Sequence, residues 1–155
     1  NEAIAAGLEQ LLPATQILHL AGTLDASELL PRQSPRYRVN EFVEDMSLPL
    51  AAADLCVSRA GASTLGELPM AALPAVLVPY PYAGGHQKYN AEVLVRAGGA
   101  AMLGNDEVRH GSLTPLLLSL LAGPARLAQM SDSMRALSRP DAARVLVQTL
   151  LELAA

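Results

Sequence analysis

The chain contains no Trp, one Phe and one Cys, and only 3% of its 155 residues are aromatic. So few aromatic rings exclude a surface that binds single-stranded nucleic acid by stacking on its bases. A net charge of −4 without any block of Lys or Arg excludes a phosphate-tracking face as well. The densest basic stretch, residues 32–38, reads as a solvated loop. Cys56 and the scattered His19, His86 and His110 offer no metal-ligand spacing. A lone thiol between Leu55 and Val57 reads as a free, buried side chain in a reducing compartment. No apolar run reaches the roughly 18 residues of a membrane span. Asn1-Glu-Ala-Ile has neither the basic region nor the apolar block of a signal peptide.

Hydrophobic residues make up 51% of the chain, mostly Ala, Leu and Val, and the length suits one domain, residues 1–155. Apolar spacing predicts a helix over 1–12, with Ile4, Leu8, Leu11 and Leu12 on one face. A short buried strand follows at 16–21, ended by Gly22, with His19 as a packed core histidine. A helix at 25–30 is expected under a Thr23 or Asp25 cap. Residues 37–42 alternate as a strand. Glu44 and Asp45 cap a helix at 46–53 with Pro49 early in it. Then come a strand at 55–58, a helix at 63–72, and an apolar strand at 75–79 of the doubly covered parallel kind. After the loop 80–85 with Gly84 and Gly85, a helix at 86–97 stops at Gly98-Gly99 before a strand at 100–103. Helices at 112–121, 125–137 and 141–154 complete the chain. Strands alternating with helices predict an α/β fold, a Rossmann-like open parallel sheet with flanking helices. Ligands of such sheets sit at the carboxyl ends of the strands, which here means the loops after Phe42, Ser58 and Pro79.

Residues 53–67 carry the sharpest signal. A strand enters a small-residue turn, Arg59-Ala-Gly-Ala, and then a helix opened by Ser63 and Thr64 with Glu67 in its first turns. The N–H groups at such a helix start, residues 62–64, are orphan donors suited to a diphosphate. Gly61 has no Cβ and permits close approach. The Glu67 carboxylate can accept from two vicinal hydroxyls at once. Together these point to a nucleotide-sugar, and away from a catalytic triad or a metal. Taken singly, each residue has a plainer reading. Ser63 and Thr64 are then helix caps, Glu67 a solvated helix residue, Phe42 core, His86 a surface cap, and Arg59 an ion-pair partner of Asp54 or Glu67.

Glu41 to Met46, Ala53-Asp54, Arg59 to Glu67, Leu73-Pro74, Val78 to Tyr82, His86-Gln87, Asn90-Ala91 and Ser138 to Ala143 form an ordered set. That set resembles the donor-binding C-terminal domain of the MurG family. Its members add N-acetylglucosamine to the undecaprenyl-diphospho-muramoyl-pentapeptide lipid of peptidoglycan synthesis. The resemblance implies the C-terminal half of an inverting GT-B glycosyltransferase without a cofactor or metal. It assigns the uracil to Phe42 and Val43, the diphosphate to Gly61, Ala62, Ser63 and Thr64, the ribose hydroxyls to Glu67, and the glucosamine ring to His86, Gln87 and Asn90. It implies no catalytic residue in this chain, the general base belonging to an acceptor half that meets the lipid at the inner face of the cell membrane. UDP-N-acetylglucosamine is the implied donor, and Gln87 is expected to read the sugar so that Gln87→Ala spares UDP itself. The chain alone is expected to be catalytically silent.

The chain departs from that family in lacking the opening strand and its glycine-serine-rich turn. That strand is central in the order 3-2-1-4-5-6, so two unpaired strand edges are expected. Pro69 is expected to kink the helix from Ser63, and Ala72 stands where the family has a helix-exit glycine. Two other functions fit the residues: a stand-alone donor subunit docking on a membrane-bound partner, and a nucleotide-binding module without transferase activity. A dinucleotide site would need G-x-G-x-x-G after the first strand, and the chain contains none.

Overall fold

The computed structural model of the chain describes residues 1–82 and 85–154; the expected loop glycine Gly84 lies outside them. Five strands alternate with helices. β1 (Ile17–Leu20) pairs in parallel with β2 (Tyr37–Asn40), while β3 (Cys56–Ser58), β4 (Ala75–Leu77) and β5 (Ala100–Met102) form a second parallel sheet in that order. The helices are α1 (Glu2–Leu11), α2 (Gly22–Leu29), α3 (Ser47–Ala52), α4 (Thr64–Met70), α5 (His86–Arg96), α6 (Asn105–Arg109), α7 (Leu113–Leu121), α8 (Pro124–Leu137) and α9 (Ala142–Leu153).

β4 shows why the sheet is covered on both faces. Ala75 and Leu77 pack into one apolar cluster with Leu68, Ala91, Leu94 and Met134, whereas Val76 packs into another with Leu11, Leu113, Leu117 and Leu120. Successive side chains point to opposite faces, so an all-apolar strand needs helices on each side. A third cluster joins α1 and α2 to β1 and β2 through Leu8, Ala26, Leu29, Tyr37 and Val39. Ile17 of β1 and Leu55 and Val57 beside and in β3 lie against the same floor, yet β1 and β3 do not pair. The break falls where the family's strand order puts its central strand, and Leu18 beside it is 49% exposed. No residue of 141–154 is buried, and Leu146, Leu150 and Leu151 of α9 stand exposed.

Some expected boundaries need correction. α2 starts at Gly22, three residues before the expected start, and neither Thr23 nor Asp25 caps it. Instead Asp25 accepts a hydrogen bond from the Asn1 side chain. β1 is only partly buried, with Leu18 outward. Cys56 is half-buried, and burial pushes its thiol pKa up. α6 was not expected: at five residues it is too short to show apolar periodicity, and it is opened by Glu107, whose carboxylate accepts from the Gly104 N–H at 2.7 Å.

His19 is a core residue, as expected, at 8% exposure. Its Nδ1 lies 2.9 Å from the Tyr37 hydroxyl and its Nε2 2.9 Å from Asn1 Oδ1. A neutral ring satisfies both, donating from Nε2 and accepting at Nδ1. Burial, opposed by the nearby Asp25 carboxylate, holds its pKa below the ordinary 6.5. The unfolded chain therefore takes up this proton at a higher pH than the folded chain does. Stability is complete above pH 6.5 and falls as the pH drops through the folded value. Urea midpoints should decrease from pH 7.5 to pH 5.5, and the decrease should shrink in His19→Asn; an equal decrease in that variant would remove His19 from the effect.

Two helices end in the same way with different residues. At the exit of α5, Gly98 (φ +85°) donates to Val95 C=O at 2.9 Å and Gly99 to Leu94 C=O at 3.0 Å. At the exit of α4, Ala72 donates to Pro69 C=O and Leu73 to Leu68 C=O, each at 3.0 Å. Both are Schellman motifs, which require a left-handed residue. Ala72 adopts φ +50°, the one non-glycine residue with positive φ among the described residues. This bears out the expected forcing of the helix exit. A Cβ in that region costs about 1–2 kcal/mol, so Ala72→Gly should stabilise the chain by about 1 kcal/mol. An unchanged denaturation midpoint would count against it.

Candidate functional site

The register places Ser58 opposite Leu77, and Leu77 opposite Met102. Hence the loops after β3, β4 and β5 leave the sheet side by side at its carboxyl edge. The loop after β3 is the turn at residues 59–63. Ala60 is fully buried, Gly61 half-buried, and Ala62 and Ser63 exposed. Among the described residues, the N–H groups of Gly61, Ala62 and Ser63 make no hydrogen bond. Thr64 differs from expectation. Its N–H donates to Gly61 C=O at 3.2 Å, and its buried hydroxyl donates to Arg59 C=O at 3.3 Å. Thr64 is thus spent on shaping the turn, and the free donors run 61–63 rather than 62–64. Ser63 precedes α4 without a side-chain cap bond, so its hydroxyl is available.

Gly61 is not required by the fold. A Cβ there would meet nothing closer than Thr64 Oγ1 at 4.0 Å, and its φ is not positive. Its missing side chain leaves the approach to the turn open. Glu67, one turn along α4, is exposed, and its carboxylate makes no hydrogen bond or ion pair among the described residues. Pro69 is buried one residue before α4 ends, so its absent N–H costs only the helix's last turn.

Three side chains staple the neighbouring loops. Gln87 Oε1 accepts from the N–H of Tyr80 at 2.9 Å and of Ala60 at 3.2 Å. Asn90 donates from Nδ2 to Ala60 C=O at 3.0 Å. Arg59 donates to Val78 C=O at 3.0 Å and to Asn105 Oδ1 at 2.7 Å, and its guanidinium lies 5.6 Å from the Tyr80 ring centroid, within cation–π range. Arg59 therefore pairs with neither Asp54 nor Glu67. Asn105, on the first turn of the unexpected α6, is the member of this group that sequence patterning missed. Its only signal is an Asn directly after a glycine and before two acids.

His86 opens α5 and is exposed. Phe42 and Val43 lie on the loop after β2, in the other sheet. Phe42 is 75% exposed and Val43 half-buried, so the plain reading of Phe42 as core fails. On the same loop, Asp45 Oδ1 accepts from the Ser47 hydroxyl and from the Ser47 N–H, the latter at 2.9 Å; the hydroxyl first, then the N–H, hold its carboxyl below the usual range. Two concavities lie away from this surface, one of about 400 Å³ between Arg96 and Arg126, the other of about 600 Å³ beside α9. Phe42, Ala62, Ser63, Glu67 and His86 all stand exposed.

Residues 1–146 match the glycosyltransferase family 28 C-terminal domain. The chain is 40% identical over 149 residues to the UDP-N-acetylglucosamine–N-acetylmuramyl-(pentapeptide) pyrophosphoryl-undecaprenol N-acetylglucosamine transferase of Acidothermus cellulolyticus, covering 92% of this chain and 40% of that protein. The same transferase of Nitratidesulfovibrio vulgaris is 38% identical over 159 residues, covering 99% of this chain and 44% of that protein. The chain thus spans about two fifths of the length of these relatives. Among solved structures, Acinetobacter baumannii MurG superposes with a TM-score of 0.79 at 28% identity, over 96% of this chain and 48% of that one. The glycosyltransferase of kitacinnamycin shares the fold, with a TM-score of 0.67 at 23% identity.

Proposed function

Because the chain belongs to the glycosyltransferase family 28 C-terminal domains, we propose that it is the donor half of a two-domain transferase and holds UDP-N-acetylglucosamine. One observation carries this reading: the free N–H groups of Gly61, Ala62 and Ser63 in the turn after β3 are followed, one turn along α4, by the unpartnered Glu67 carboxylate. The donors meet the diphosphate, and Glu67 takes the ribose hydroxyls. Exposed Phe42 and half-buried Val43 hold the uracil, and His86 with the amide groups left over on Gln87 and Asn90 faces the sugar. The exposure of Phe42, Ser63, Glu67 and His86 suits one wall of a cleft whose other wall is a second domain.

In the reaction, the acceptor's C4 hydroxyl attacks the anomeric carbon and UDP departs with inversion. Negative charge grows on the leaving diphosphate, where preorganised N–H dipoles stabilise it without reorganising. The general base and the lipid site belong to the acceptor half, which brings the enzyme to the inner face of the membrane. No helix of the described residues is long and apolar enough to cross a membrane itself. A segment of the longer protein running between β1 and β3 completes the sheet. The chain by itself binds donor without turning it over.

Calorimetry on the chain tests this. UDP and UDP-N-acetylglucosamine should both give binding heat and NAD none. Heat with NAD and none with any uridine nucleotide overturns the reading. A stand-alone donor subunit gives the same heats and differs by regaining transferase activity when a separate acceptor protein is added.

A further inference from the structure

We propose that Gln87 is a positioning residue: its side-chain oxygen clamps the loop after β3 to the loop after β4 and so sets the turn that receives the diphosphate. The clamp itself stands on geometry, while its effect on ligand rests on the donor reading above. Ala60 is fully buried and immediately precedes Gly61. Its N–H is held by Gln87 Oε1 and its C=O by Asn90 Nδ2, so α5 side chains satisfy both polar backbone groups of this one residue. The same Gln87 oxygen takes the Tyr80 N–H, using both of its lone pairs. α5 is a firm support. Ala91 and Leu94 on it pack into the same cluster as Ala60 and Leu77.

Loss of the Gln87 oxygen leaves the Ala60 N–H buried without a partner, and a buried orphan donor is expensive. The segment relieves that by shifting, and Gly61, Ala62 and Ser63 shift with it. This replaces the expectation that Gln87→Ala spares UDP. A residue that only touched the sugar would affect UDP-N-acetylglucosamine alone; the clamp acts on both ligands through the diphosphate they share.

Amide hydrogen exchange on the free chain, together with calorimetry using UDP and UDP-N-acetylglucosamine, separates the cases. In Gln87→Ala, the Ala60 and Tyr80 amides should exchange about tenfold faster or more, while amides inside α5 keep their protection. Gln87→Glu keeps an acceptor oxygen and should restore protection; Gln87→Met should not. Affinity for both ligands should fall together in Gln87→Ala by about tenfold, the scale of one lost hydrogen bond to a buried group. Should Gln87→Ala not fold, Gln87→Met, which keeps the side chain's length and loses its oxygen, carries the same comparison. Unchanged protection of Ala60 and Tyr80, or an affinity loss confined to UDP-N-acetylglucosamine, overturns the proposal. If the unaltered chain binds neither ligand, the donor reading falls and the diphosphate role of Gln87 with it; amide protection then decides whether the clamp exists.

Discussion

Glu67→Ala should cost roughly 1.5–3 kcal/mol of UDP binding, the usual worth of hydrogen bonds to a charged group, and leave folding almost untouched. The two halves of that expectation have separate causes. Glu67 is exposed and has no partner among the described residues, so nothing in the folded chain is broken by its removal. An acid in the first turn of α4 does interact with the helix dipole, worth about 0.3–1 kcal/mol, but alanine's better helix propensity offsets much of that. The binding loss arises because two vicinal ribose hydroxyls lose an ionised acceptor at once. Glu67→Gln should fall between, keeping the acceptor oxygen but not the charge. Calorimetry beside urea denaturation reads both quantities. Binding unchanged in Glu67→Ala would take Glu67 out of the site.

Gly7→Ala should destabilise the chain by about 1–2 kcal/mol although alanine is the better helix former. Gly7 is buried on α1 where that helix meets α7. A Cβ there would clash with Thr114 Oγ1 and fall 3.4 Å from Thr114 Cβ. Thr114 is buried and β-branched, with a single side-chain torsion by which to retreat. Overpacking costs of about 1–3 kcal/mol therefore outweigh the roughly 1 kcal/mol of propensity gained. Thr114→Ala removes the obstructing oxygen, so the double variant should be more stable than additivity allows, with a coupling of about 0.5 kcal/mol or more. Strict additivity in urea denaturation would show that the two helices do not meet at this pair.

Much of the architecture was readable in the residues themselves. β4 is an unbroken apolar run because helices cover both its faces, and α5 stops at Gly98 because only a left-handed residue closes that motif. The break between β1 and β3 followed from the resemblance and the strand order it brings. Short elements were less legible. α6 spans little more than one turn, and Gly22, read as a strand stop, is also the first residue of α2. The site divided similarly. Gly61, Ser63 and Glu67 were visible because a turn and a helix start lie within seven consecutive residues. The roles of Thr64, Arg59 and Gln87 were not, because their partners are set by tertiary contact. Gln87 meets Ala60, 27 positions away, and Arg59 meets Asn105, 46 positions away. Exposure is likewise a property of packing, and nothing in the sequence around Phe42 shows that it faces solvent.

The central claim is that the turn after β3 grips a diphosphate while the loop after β2 holds the attached uracil. Titrating UDP into the isotope-labelled chain and following backbone amide resonances tests it directly. The account predicts the largest shifts at Gly61, Ala62 and Ser63, with Phe42 and Val43 moving in step at the same midpoint. Shifts confined to the Arg96–Arg126 concavity or to α9, with the 61–63 amides still, would contradict it.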